Sequence, residues 1–491
     1  MEEIRRMSDT RNDNWLDDRA RDAMVRNGFN YEFGSDVREQ LEALAASADT
    51  SGAEDLRSLV WSSIDNTTSR DLDQVEWAER TADDGIRLLV GVADVDSRVA
   101  KDSAIDRHAH RNTVSVYTQS EVFPMLPAEL SNDLTSLNEG VDRLAVVAEL
   151  FVDVNGDVPR SRFFRAIVHN HARFSYEEIG EWFEGGPMPK KIAGNEALRE
   201  QLELQREAAE HLYRYRAAKG ALEFESIEAS AVVTDGEIKD LVGVKPNAAR
   251  KVIENFMIAT NVEMAEFLES NGVASIRRVV KTPQRWEGIR KIAAEFGERL
   301  PESPVQAALA DFLTKRREQD PEHFPDLSLS IVKLIGAGEY VVERPGEDSG
   351  GHFGLGVRDY AHSTAPNRRF ADLVVQRLVK GVIAGSPPAY RSEELDEIAE
   401  HLNQQEKAAR KVERKMRKIV AATVMQKRIG ETFQAIVTGV NEHGTFARIL
   451  RPPVDGRIEQ NETGLEVGAK IKVRLISANP HNGFIDFAAL R

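Results

Sequence analysis

Cysteine is absent from all 491 residues. That excludes disulfides, disulfide-linked partners and thiolate metal sites, and it suits a reducing cytoplasm, which is the expected location. Long apolar runs are missing too. No stretch of about 18 apolar residues occurs, so no membrane span is expected. The opening MEEIRRMSDTRNDNW has no apolar core of the kind a secretory signal needs. Positive charge is in deficit, with 65 Lys and Arg against 81 Asp and Glu, a net of −16. A balance of that sign argues against a chain that coats nucleic acid non-specifically.

What is present is ordinary for a globular protein: 41% hydrophobic and 30% charged residues, in a chain long enough for two to four domains. The charge is unevenly spread. Residues 1–57 carry 14 acidic and 8 basic residues, whereas 406–428 carry 9 basic and 2 acidic. An acidic exterior with a local basic tract suits an enzyme that handles a polyanion in an enclosed groove.

Patterning predicts three regions. Residues 1–57 are polar and mainly helical; a helix starts at Gly34-Ser35-Asp36, with Val37, Leu41 and Leu44 at helical spacing, and 46–55 reads as a linker. From residue 58 the runs VEWAER and IRLLVGVAD read as strands joined at Asp84-Gly85, and LAVVAELFVD as another. Helices are expected over roughly 195–219, 248–269 and 392–428, the last with a seam of Val412, Met416, Ile419 and Val424. The tail, 429–491, offers five short strand-like runs separated by Gly, Asn and Pro signals, the pattern of a small oligonucleotide-binding barrel. There Lys470, Lys472 and Arg474 alternate with Ile471, Val473 and Leu475, and Phe433, His443 and Phe446 are candidate stacking surfaces. A barrel that only packs on its neighbour is the alternative. The expected fold class is therefore α+β: a large mixed-sheet domain with packed helices, 58–428, followed by a small all-β barrel.

Two tracts carry chemistry. In IDNTTSRDLDQ (64–74), Asp65, Asp71 and Asp73 crowd into the loop entering a sheet, where catalytic groups are commonly carried. Carboxylates that close repel unless they are solvated or share a cation, and with no His or Cys nearby the hard oxygens suit Mg2+ or Mn2+. A solvated acidic loop is the plainer reading. In HFGLGVRDYAHSTAPNRRFADLVVQRL (352–378), Pro366 and Asn367 mark a turn before a helix. Arg368 and Arg369 then sit near the helix's positive end, a good place for phosphate; an Arg pair bridging surface carboxylates is the alternative. Tyr117, Tyr176 and Phe224 are either core or substrate contacts.

Taken together with GVADVDSRVAKDSAIDRHAHRNTVSVYTQSEVFPMLPAELSNDLTSL, these motifs resemble, in order and separation, the catalytic domain of the ribonuclease II / ribonuclease R family, and the tail resembles its RNA-binding barrel. The resemblance covers about residues 58–428. It implies processive 3′→5′ hydrolysis of single-stranded RNA to nucleoside 5′-monophosphates with a divalent metal, Mg2+ or in its place Mn2+. By that resemblance Asp65, Asp71 and Asp73 fall on three of four acidic metal positions, with Asp73 catalytic. Arg368 falls on the arginine that holds the phosphate being cleaved, beside Arg369. Tyr117 and Phe224 match aromatics that clamp stacked bases. Tyr176 and Glu254 match residues that tell ribose from deoxyribose, and Glu413 a glutamate near the departing nucleotide.

The chain departs from the family pattern at several points. Gln74 stands where a fourth aspartate is common; an amide oxygen can still bind a metal, so Gln74 stays in the expected metal set, with one negative charge fewer. Phe370 and Gln376 replace a frequent Tyr and His. The usual pair of N-terminal cold-shock barrels is missing ahead of residue 58. An active exoribonuclease is the leading expectation. A catalytically impaired RNA-binding protein on the same fold is the alternative, and a hydrolase of small phosphorylated substrates is a third.

Overall fold

The computed structural model describes residues 15–44, 48–225, 228–234, 237–244, 247–442 and 444–490. Its centre is a six-stranded sheet of β1 (Glu54–Asp55), β2 (Trp61–Asp65), β3 (Gln74–Arg80), β4 (Ile86–Ala93), β7 (Asp142–Val152) and β8 (Arg160–Ser175), the short β5 (Val116–Tyr117) and β6 (Val122–Phe123) forming a separate hairpin. The 16-residue β8 pairs with β7 along its first half and with β2 along its second, so the sheet curls back on itself. One face encloses Trp61, Val75 and Ala145 around Gly91, where an added Cβ would lie 3.1 Å from Val75. Helices cover the other face, which is why β4 is buried at nearly every position instead of alternating. The turn predicted at Asp84-Gly85 is present, with Asp84 at φ 61° and the Thr81 N–H bonded to the Gly85 carbonyl.

β2 meets β3 only at Ser62 opposite Glu76. Beyond that point a helix replaces the missing strand. The helices longer than one turn are α1 (Trp15–Arg26), α2 (Ser35–Ala43), α3 (Ala104–Asn112), α4 (Tyr176–Phe183), α5 (Glu196–Ala218), α6 (Ala248–Ser270), α7 (Trp286–Glu295), α8 (Gln306–Gln319), α9 (Phe324–Ile335), α10 (Phe370–Ile383) and α11 (Ser392–Gln426). From α5, Gln201 bonds both the N–H and the carbonyl of Ala78, at 2.8 and 2.7 Å, satisfying the strand edge. α6 and α10 pack into the main core through Ile253, Phe256, Leu268, Leu373 and Val375. Helices α7–α9 form a satellite core around Trp286, Leu309, Phe312 and Phe324. The antiparallel pairs β9 (Glu228–Thr234) with β10 (Glu237–Val244), and β11 (Ser275–Val279) with β12 (Glu339–Glu343), stand beside the main sheet.

The 35-residue α11 ties the molecule together. Its seam residues Val412, Met416 and Ile419 are fully buried against Ala20, Ala23 and Met24 of α1 and against Val116 and Phe123 of the hairpin. Its last turns, Val420 to Met425, enter the core of a closed barrel of β13 (Thr432–Asn441), β14 (Gly444–Ile449), β15 (Val454–Gln460), β16 (Lys470–Asn479) and β17 (Phe484–Leu490). The five runs expected from sequence are these five strands, and Lys470, Lys472 and Arg474 are exposed as the alternation requires. At the other end, α1 and α2 pack on the large domain, and β1 already belongs to its sheet.

Candidate active site

β2 ends at Asp65 and β3 begins at Gln74, so the acidic motif is the loop between neighbouring strands. Arg173 of β8 holds that loop from behind, its Nη2 donating to the carbonyls of Asn66, Thr67 and Ser69 at 3.2, 3.3 and 2.5 Å. The Leu72 N–H donates to Ser136 Oγ, and the Asp73 carbonyl accepts from the Ala93 N–H, both at 2.9 Å. Asp65, Asp71, Asp73 and Gln74 consequently face one cavity of about 280 Å3, shared with Tyr117, Tyr176 and Arg368.

Each carboxylate has its own partner. Asp65 Oδ1 accepts from the Asn66 N–H at 2.6 Å and Ser69 Oγ at 2.8 Å. Asp71 Oδ2 accepts from the Tyr117 hydroxyl at 2.9 Å. Asp73, only 2% exposed, accepts from the Asn367 N–H at 3.1 Å and from Arg368 Nε at 3.3 Å. Burial pushes the Asp73 carboxyl up to about 7, with neighbouring Asp71 adding to the rise and Arg368 opposing it. Burial also raises Asp65.

Arg368 reaches the loop because its own turn is fixed on three sides. The Ala365 N–H donates to Asp372 Oδ1 at 2.8 Å. Asn367 Oδ1 accepts from Thr135 Oγ1 at 2.6 Å. The Ser115 N–H donates to the Arg368 carbonyl at 2.9 Å, which joins this turn to the hairpin carrying Tyr117. Tyr117 in turn donates its N–H to Glu413 Oε1 of α11 at 3.4 Å. Tyr176 arrives from the other side: Ser175 pairs with Asp65 across β2 and β8 and caps α4, leaving Tyr176 as the first helical residue. The Arg250 guanidinium lies 4.4 Å from its ring centre and donates to Asn66 Oδ1 at 2.8 Å.

The remaining expected residues fall elsewhere. Phe224 and Glu254 line an adjoining cavity of about 190 Å3 with Tyr213, Arg216 and Lys251. Successive faces of α6 serve the two chambers, Arg250, Ile253 and Met257 the first, Lys251, Glu254 and Asn255 the second. Arg369 turns away from the first cavity and donates to Asp372 at 2.7 Å. Phe433 is 7% exposed and belongs to the barrel core, with Arg428 over its ring at 4.7 Å, whereas Phe446 is half-buried. His443 lies outside the described residues. Gln376 takes up the bonds its position requires, donating to the Ala93 carbonyl and accepting from the Asp96 N–H, while Phe370 stacks on His110.

Sequence reasoning missed Arg250, Ile253, Met257 and Thr364 in the cavity wall. It also passed over Glu76, which is wholly buried with neither carboxylate oxygen hydrogen-bonded. Burial, reinforced by Asp65, pushes Glu76 well above the usual carboxylate range.

The cavity's candidate ligands are three carboxylates and an amide, with no histidine in the lining. That all-oxygen chemistry fits a hard divalent cation, and a cation offsets the cost of burying Asp73 and Asp65. Among the described residues one acidic group, Glu269, Glu343 and Asp359, has ligand atoms all within 4.8 Å of one another, a spacing that Asp65, Asp71 and Asp73 do not reach as a set. It already contains a cation: Arg277 Nε donates to Glu343 at 3.0 Å, and Arg277 lies 3.9 Å from Glu269.

A curled mixed sheet, an oxygen-lined cavity closed by an arginine turn, and an appended five-stranded barrel define the class. The RNB domain matches residues 53–385, and the RNase II-type exonuclease C-terminal S1 domain matches 431–490. The chain belongs to the RNB domain family. Ribonuclease R of Vibrio cholerae is 29% identical over 503 residues, covering 93% of this chain and 60% of the relative. The chain thus spans about three-fifths of that relative's length. Among solved structures, Mycoplasma genitalium RNase R in complex with ribose-methylated single-stranded RNA has a TM-score of 0.87 at 22% identity, covering 96% of this chain and 77% of that one. Yeast Ssd1, a pseudonuclease, has a TM-score of 0.73 at 17% identity, covering 93% and 57%. These likenesses establish the fold.

Proposed function

We propose that the protein is a processive 3′→5′ exoribonuclease that degrades single-stranded RNA in the cytoplasm to nucleoside 5′-monophosphates, using Mg2+ or Mn2+. The observation that carries this reading is the meeting of Asp65, Asp71, Asp73 and Arg368 on one cavity walled by Tyr117 and Tyr176. The relative's name, Ribonuclease R, supports it.

Asp65, Asp71, Asp73 and Gln74 would hold the cation, which supplies Lewis-acid charge for phosphodiester hydrolysis. Arg368, with 43% of its side chain exposed, keeps part of its guanidinium free for the phosphate while Asp73 fixes its orientation. There it stabilises negative charge as it develops on the phosphoryl oxygens. Tyr117, 41% exposed, offers a ring for a terminal base, with its hydroxyl spent on Asp71 and its backbone held by Glu413. Stacking of this kind contributes roughly 1–3 kcal/mol per base and tolerates any sequence. Tyr176 and, in the second chamber, Glu254 are the proposed partners of ribose hydroxyls, the groups that distinguish RNA from DNA. Phe224 and the barrel's basic face with Phe446 extend the path; Arg369 and Phe433 act by supporting Arg368's turn and the barrel core.

Gln74 favours the second reading, a catalytically impaired RNA-binding protein. Retention of the three aspartates and Arg368 favours the enzyme, because a binder has no use for the phosphate-cleaving set. Chromatography of products from unlabelled single-stranded RNA incubated with Mg2+ decides between them. Nucleoside 5′-monophosphates are expected; intact RNA bound to the protein would establish the binder.

A further inference from the structure

The basic tract 406–428 lines neither of the two cavities. α11 carries it on the outside of the molecule instead. One face of this helix, followed at steps of four and three residues, begins with exposed Glu393, Glu397 and Glu400 and continues through Gln404. From there the same face reads Lys407, Lys411, Arg414 and Lys418, all exposed. Such steps keep side chains on one side of a helix. The buried seam of Val412, Met416 and Ile419 takes the opposite side.

The sign of the charge changes in the middle of the helix. Gln404 donates to Glu400 at 3.2 Å, which closes the acidic half. Arg410, just off the face, is paired with Glu406 at 2.9 Å. Among the described residues Lys407, Lys411, Arg414 and Lys418 have no ion-pair partner. Like charges three and four residues apart destabilise a helix. The helix dipole does not offset this, since it acts on the last turn and Lys418 lies two turns before Gln426. In a chain of net charge −16, four unpaired cations in a row point to an anion from outside.

A ring stands at the end of the stripe. The turn before β17 rests on α11, where a Cβ on Gly483 would lie 2.9 Å from the Lys418 Cβ. His481 of that turn meets Arg19 of α1 at 3.2 Å, which pins the turn in place. Phe484, the next residue after Gly483, is 60% exposed, so packing gives no reason for an aromatic there. Cations about 5–6 Å apart at Cβ match the step between successive phosphates of a single strand, and the ring offers a base a face to stack on.

We propose that Lys407, Lys411, Arg414 and Lys418 of α11, with Phe484, form a docking track for single-stranded RNA outside the catalytic cavity. It holds a stretch of the substrate beyond the nucleotides that occupy the cavity. The inference rests on the RNA-binding part of the proposed function and adds a second surface to it.

The test is binding of a labelled single-stranded RNA of about 30 nucleotides, longer than the roughly 4–16 that one small barrel covers. It is read by fluorescence anisotropy in chelator across a salt series. The full chain is compared with a variant carrying Lys407→Gln, Lys411→Gln, Arg414→Gln and Lys418→Gln together. The slope of log affinity against log salt is expected to flatten by about 2–3, four cations at about 0.7 each. Affinity near 0.15 M salt is expected to fall about 10- to 100-fold. With Mg2+, KM rises and kcat is unchanged. Gln is a good helix former and relieves the like-charge repulsion, so the melting temperature is expected not to fall. Lys407→Gln with Lys411→Gln, expected to flatten the slope by about 1.4, is the second variant should the fourfold one fold poorly. Phe484→Ala is expected to weaken binding about 10-fold with the slope unchanged. A wild-type slope in the charge variants, or wild-type affinity in Phe484→Ala, overturns the inference and leaves the proposed function standing. Phosphatidylserine vesicles bound by wild type and released by the fourfold variant, with RNA binding unchanged, would assign the stripe to a membrane surface and overturn it too. Wild type that binds no RNA overturns the inference and the RNA-binding reading together.

Discussion

Asp73 is held in two opposing ways. Its backbone is anchored by Ala93 and its carboxylate by Asn367 and Arg368, yet it is nearly inaccessible to water. Its folded-state value of about 7 lies above the 3.8 of an ordinary aspartate, so the folded protein binds this proton more tightly than the unfolded chain. Its ionisation therefore lowers stability as pH rises from about 4 through 7, with the full penalty above 7. In chelator-treated protein, Asp73→Asn is expected to raise stability by roughly 1–3 kcal/mol at pH 8, the gain shrinking at pH 5. Urea unfolding at the two pH values checks this. The same substitution removes a proposed cation ligand, so stability gained is activity lost. The residues of this loop were legible in sequence because D-x5-D-x-D is local. Glu76 was not, because an acid in a strand reads as solvent-facing, and only the helix-covered second face of the sheet buries it.

Elements bring the distant parts together. The strands 74–80 and 86–93, the helices 196–218, 248–270 and 392–426, and all five barrel strands follow from periodicity and turn residues. What periodicity does not carry is the direction in which a helix residue looks. The helix over 248–270 is expected from sequence, but that Arg250, Ile253 and Met257 of α6 share a cavity wall with the acidic loop is set by tertiary packing. Residues 15–43 read as a polar segment with no assigned role, and in the structure α1 braces α11 and the Tyr117 hairpin, with Arg21 bonding Glu121 at 3.1 and 3.2 Å. Met416 sits fully buried at that junction. Met416→Ala is expected to cost about 2–5 kcal/mol, read as a lowered melting temperature, and to raise KM for RNA as the hairpin loosens.

At the scale of the whole molecule, α11 carries Glu413 to the backbone of Tyr117 and its last turns into the barrel core, so the two domains share a continuous strut. The barrel's exposed Lys470, Lys472 and Arg474 lie on one strand face. If that face tracks the backbone of the substrate, binding weakens with salt at a slope of about −0.7 per phosphate neutralised. Replacing the three with Glu should raise KM, leave kcat unchanged and flatten that slope. A slope unchanged by the triple substitution would mean the barrel does not guide RNA.

The most direct measurement follows a 5′-labelled single-stranded RNA of 30 nucleotides with Mg2+, comparing wild type with Asp73→Asn and with an all-DNA strand. Shortening of the RNA from its 3′ end to a short limit product is the predicted result, with the variant and the DNA strand inert. RNA that stays full length with wild type, or that the Asp73→Asn variant shortens equally well, would contradict the account.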